Sequence, residues 1–223
     1  MSLKFFIATS AAAVAMSAQA ALAVTSFDFT GPAFPIFGSD IDPAQFTQGD
    51  YTVDVTAHDL TLPTSNASVN QNGLGLGVYL GGFDSPQNDN IRDKEMLVFE
   101  LGRKVDFVDV TITAGLFDTA IFFATNDSDI LDATTVGEAL AVRESGFRSV
   151  TSDVDFFGVT GSLNLSGFQY LVAGTPGLGP VGVFSANTQG FRVAGLSVVP
   201  APLGLPLLAS AFAAAWLVRR RAA

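Results

Sequence analysis

The chain has 223 residues, with 21 acidic and 11 basic side chains, one histidine and no cysteine. The absence of cysteine excludes thiol nucleophiles, thiolate zinc sites and iron–sulfur ligation, and one histidine cannot build a histidine metal cluster. All 21 acids lie between Asp28 and Asp155, and residues 24–198 set them against seven bases, a net charge of −14 that repels nucleic acid phosphates and anionic lipid heads.

Residues 1–23 open with Lys4, continue through an apolar stretch from Phe5 to Met16, and close on small residues. A positive start, a short apolar centre and small residues at the −3 and −1 positions predict a secretory signal peptide. Two cleavage sites compete, one ending at Ala20 and one at Ala23. A buried N-terminal helix is the competing reading, but the strand-like text that begins at Phe27 disfavours it. The expected compartment is oxidising, where disulfides are permitted but not required.

Residues 24–198 read as one β-rich domain, large enough to fold without a staple. Tyr51, Val53, Val55 and Ala57 alternate with polar residues, then Leu60 and Leu62 take the opposite phase, which predicts a bulge or strand break at His58-Asp59. Leu74, Leu76, Val78 and Leu80 alternate with glycines after the turn signal Asn72-Gly73. That pattern predicts a strand closely approached by another backbone. Met96–Leu101 and Val105–Thr113, separated by Gly102-Arg103-Lys104, read as a hairpin. Further strands are expected at Thr119–Thr125, Asp153–Val159, Leu163–Leu165, Phe168–Ala173 and Phe191–Val199. Only Thr135–Arg143 has helical spacing. This pattern predicts an all-β, antiparallel sandwich of jelly-roll-like arrangement, and 20 phenylalanines suggest a core filled with Phe.

Catalytic signals are sparse. His58 and Asp59 are adjacent, so on a strand they point to opposite faces and do not pair. No G-x-S-x-G elbow accompanies them, and Ser145-Gly146 reads as an ordinary turn. Gly73-Leu-Gly-Leu-Gly lacks the helix that a dinucleotide fingerprint requires. Asp153 and Asp155 would share one strand face about 7 Å apart, a carboxylate separation that inverting glycosidases also use. A polar outer face opposite Val154 and Phe156 accounts for them more simply. Asp84, Asn88, Asp89, Asn90, Asp93 and Glu95 gather hard oxygen donors in one stretch, the ligand type calcium prefers. Arg92 and Lys94 interrupt that set, and the EF-hand spacing is absent. Asn126–Asp132 is a weaker version of the same text. Tyr51, Tyr79 and Tyr170, the only tyrosines, sit at alternation positions suited to a core rather than to glycan platforms.

Residues 199–223 form the tail. Leu203–Val218 carries no charge and is followed at once by Arg219, Arg220 and Arg221. As a helix it spans about 24 Å against roughly 30 Å of hydrocarbon, which predicts a short single transmembrane helix. The three arginines would stay on the cytoplasmic side, with Trp216 near that interface. A buried C-terminal helix is the alternative.

At Val199, Pro200 and Pro202, followed by the apolar run and the arginine cluster, the chain resembles proteins with a PEP-CTERM-type sorting signal, closest to the V-P-L-P-A variant. It departs from that variant at Ala201 and Leu203. Strand text like Gly190–Val199, and the text from Gly73 and from Asp89, is also similar to that class. The resemblance implies two processing partners, signal peptidase and a membrane-embedded exosortase that cuts near the motif, and it implies association with exopolysaccharide. The expected protein is therefore exported, sorted at its C-terminus to the cell surface or extracellular matrix, and not an enzyme. The alternative is a calcium- or glycan-binding module using Asp84–Glu95. A hydrolase using Asp153 and Asp155 is the third reading.

Overall fold

The computed structural model describes residues 24–31, 39–41, 43–60, 67–80, 91, 94–114, 119–151, 158–175 and 190–200. In chain order the strands are β1 Thr25–Asp28, β2 Ser39–Ile41, β3 Ala44–Gln48, β4 Tyr51–Asp59, β5 Ser68–Asn72, β6 Gly75–Tyr79, β7 Glu95–Ala114, β8 Thr119–Thr125, β9 Arg148–Thr151, β10 Gly158–Gly174 and β11 Phe191–Pro200. Between β8 and β9 come a 3-10 turn at Ser128–Asp132 and one helix, α1, at Val136–Ala141. Among the described residues no helix is long and apolar enough to cross a membrane, and the tail from residue 201 lies outside them.

All pairings between the strands are antiparallel, and they build two packed sheets. The first sheet runs β3, β4, the start of β7, the end of β10, β8 and β9. The second runs β2, β5, β6, β11, the end of β7 and the start of β10, with β1 beside β6 on the same edge of β11. Two strands therefore belong to both sheets, and the sandwich turns its corner through them.

This corrects the expected hairpin at Gly102-Arg103-Lys104. The chain does not reverse there, because β7 continues through it as one strand of 20 residues. Gly102 has φ +63, and an added Cβ would press on the Thr52 carbonyl. A left-handed glycine can close a turn or bend a strand, and here it bends one. The same correction applies to Leu163–Leu165 and Phe168–Ala173, which are one strand kinked beside Gly167 at φ +89. Tyr170 pairs with Glu100, Phe168 with Val105 and Asn164 with Phe107, so the two partners use unequal lengths of chain around the bend.

The alternation in β4 is observed as expected, with Tyr51, Val53 and Val55 buried. No bulge forms at His58-Asp59; the β4–β7 register runs unbroken from Asp54↔Glu100 to Asp59↔Glu95, where the strand ends. The main core lies between the sheets and contains Phe27, Phe29, Phe99, Phe122 and Phe191, together with Val53 and Val55 of β4 and Val105, Val108 and Val110 of β7. Phe29 meets Phe46 edge-on at 4.7 Å and Phe99 at 5.8 Å.

A second, smaller core lies on the outer face of the first sheet. Met96, Val98, Tyr170, Val172 and Phe123 point outward there and are covered by Ile130, Ala133 and Ala139 from the 3-10 turn and α1. With both faces covered, the start of β7 reads as the unbroken apolar run Met96–Phe99, all of it fully buried. The cover is held by local caps. Thr135 accepts from the Glu138 backbone N–H, and the Glu138 carboxylate accepts from the Thr135 backbone N–H, a complete capping box.

Candidate functional site

Most of the residues singled out from sequence lie outside the described residues. These are Ala20, Ala23, Asp84, Asn88, Asp89, Asn90, Asp93, Asp153, Asp155, Pro202 and Arg219 to Arg221. Among the described residues no group of three or more histidine or acidic side chains is placed to hold a metal ion. Glu95 begins β7 and faces Asp59 across the ladder, and both are buried at one end of the sandwich. Cross-strand partners share a face, so this arrangement brings together two carboxylates that lie far apart in sequence.

His58 points the other way, toward the cover segment, opposite Met96 in register. The Ala133 backbone hydrogen-bonds its ring, the Asp132 charge acts on it, and Nε2 is enclosed with no hydrogen-bond partner. Burial holds its pKa below the ordinary histidine value of 6.5, against the opposing pull of Ala133 and Asp132. The unfolded chain therefore takes up a proton just below pH 6.5 while the folded chain does not, so stability falls as pH drops through that value. Urea midpoints at about pH 7.5 and about pH 6 should differ in the wild type and converge in His58→Phe. Equal midpoints in the wild type would contradict this placement of the ring.

Tyr51 and Tyr170 are core residues, as their alternation suggests. Burial pushes the Tyr51 hydroxyl up to about 12, and the Arg103 guanidinium sits 4.6 Å from its ring.

A cavity of about 230 Å³ opens where β10 bends from one sheet to the other. Phe122 and Phe123 of β8 and Leu163 of β10 supply its apolar walls, and half-buried Phe168 stands at the bend. Its polar rim is Glu144, Ser145 and Arg148 on one side and Asn164 on the other. This rim is pinned to the end of β8. The Glu144 and Ser145 backbone N–H groups both donate to the Ala124 carbonyl, at 3.2 and 3.0 Å, and Ser145 Oγ accepts from the Ala124 N–H at 2.6 Å. Glu144 Oε2 accepts from both the backbone and the side-chain nitrogen of Asn126. Arg148 opens β9 opposite Phe122. Sequence reading passes over this cavity because its walls come from three separate segments. The one local signal was the two-residue phenylalanine run at Phe122-Phe123, which asks for both sides of a strand to be covered.

No family model matches the chain, and no curated protein matches it. Among solved structures it is similar to BiXyn10A CBM1 in its apo form, at 7% identity and a TM-score of 0.37, over 79% of this chain and 97% of that one. It is also similar to a rhamnosidase from Klebsiella oxytoca with rhamnose bound, at 8% identity and a TM-score of 0.32. That match covers 66% of this chain and 29% of the rhamnosidase chain, so this chain spans under a third of its length. At such scores neither likeness bears on activity.

Proposed function

We propose that this chain is an exported, non-enzymatic β-sandwich protein, carried by an N-terminal signal peptide and sorted through its C-terminal tail to the cell surface or extracellular matrix. The observation that supports the reading is the position of the last strand. β11 lies between β7 on one edge and β1 and β6 on the other, and its final pairs are Val199↔Phe107 and Pro200↔Val105. The first two residues of the sorting motif are therefore the last two of the sandwich. Proline offers no N–H to a ladder, so Pro200 suits the last position of a strand. Every strand among the described residues lies at or before Pro200, so a cut beyond it would leave these strands intact. The resemblance to the sorting class makes an exosortase the processing partner and exopolysaccharide the associated material.

The test is the intact mass and cell fractionation of the mature form, made in a host with the sorting machinery. The expected product ends between Val199 and Leu203 and is found in the envelope or medium. A product that retains Arg219 to Arg221 in the inner membrane would overturn the processing step and leave a simple membrane-anchored protein.

A further inference from the structure

We infer that the cavity at the β10 bend is a binding site for a single neutral sugar ring. Its volume of about 230 Å³ is below the roughly 300–1,000 Å³ of pockets that enclose a drug-sized ligand, so it suits one ring rather than an extended chain. Its lining divides by chemistry. Half-buried Phe168 offers carbon surface for the C–H face of a pyranose over a floor of buried Phe122 and Leu163, while Glu144, Arg148 and Asn164 supply the polar lining. A sugar hydroxyl both donates and accepts, and this rim supplies a carboxylate acceptor, a guanidinium donor and an amide that does both. One acid and one base on the rim leave it without a net charge. The surrounding body at −14 disfavours an anionic ligand, so the class is a neutral hexose or its glycoside.

The geometry is also prepared in advance. The Glu144 carboxylate is held by Asn126 and Arg148 Nη1 by the Phe147 carbonyl, so part of the rim is ordered before binding. The bend at Gly167 places Phe168 beside them; in an unbent β10 the ring and the rim would not meet. None of the lining residues belongs to Asp84–Glu95 or to the tail.

The test is saturation-transfer NMR on the full chain with the methyl glycosides of glucose, galactose and mannose, with glucuronate as the charged comparison. Transfer to at least one neutral glycoside, with millimolar affinity, is expected. Arg148→Ala, an exposed change that spares the core, should weaken it roughly fivefold or more, and Phe168→Leu should weaken it through the lost ring face. Three results would overturn the site: no transfer to any of the three glycosides, transfer unchanged in both variants, or transfer to glucuronate alone.

Discussion

Arg192→Leu is expected to lower the free energy of unfolding by about 3–5 kcal/mol, since it strips the donor from three buried oxygens at about 1–3 kcal/mol for each group left unsatisfied. Arg192 is 1% exposed, on a strand whose neighbours Phe191 and Val193 face the main core. Its Nη1 donates to the Asn70 carbonyl at 3.4 Å and to the Gly75 carbonyl at 3.2 Å, and both Nη1 and Nη2 reach Asn70 Oδ1 at 3.2 Å. One guanidinium thus ties both strands of the β5–β6 hairpin to β11. Val193↔Leu76 is the only ladder pair between β6 and β11 among the described residues, so the side chain carries much of a joint that backbone pairing leaves thin. Leucine fills part of the volume but leaves buried carbonyl and amide oxygens without these donors. For a body of this size the loss corresponds to roughly a 10 °C fall in Tm. Arg192→Lys keeps the charge but lacks the planar fork, so it should recover only part of the loss. A urea midpoint for Arg192→Leu within error of the wild type would show that the hairpin is held by other means.

How much of this was legible beforehand depends on which interactions decide each element. β8 is found at Thr119–Thr125, the bounds read from its apolar run, because a strand with turn signals on both sides is set locally. The helix expected within Thr135–Arg143 forms as Val136–Ala141, because the Thr135–Glu138 capping box is a local device. The two bent strands failed for the opposite reason. Gly102 and Gly167 supply a left-handed backbone, and only long-range pairing decides whether such a glycine reverses a chain or turns a corner. β7 pairs with β4 before the bend and with β11 after it, partners that lie on both sides of it in sequence. Met96–Phe99 did hold a readable sign that both faces are covered, but nothing local to it names the cover. The Asp59–Glu95 pair and the cavity at the β10 bend are of the same kind, since register and topology bring their residues together.

The alternation of Gly73, Gly75 and Gly77 with Leu74, Leu76 and Val78 was the better local clue, and it leads to the second large effect. Gly75→Ala is expected to cost about 3 kcal/mol or more. Gly75 has φ +123, a conformation available almost solely to glycine, and strain of that kind alone costs on the order of 1–3 kcal/mol. A Cβ there would also be driven into the Val193 carbonyl of β11, and backbone cannot swing aside as a side chain can. The loss should be local in its first step. Hydrogen exchange should quicken at the amides of Val69 to Val78, while those of Phe122 and Ala124 in β8 keep their protection. Gly75 and Arg192 serve the same joint, since the Gly75 carbonyl is one of the acceptors of the guanidinium. Once either substitution has loosened the hairpin, the other has less to remove, so the double variant should lose less than the sum of the two single losses. Strict additivity would show that β5–β6 is docked through two independent contacts rather than through one shared joint.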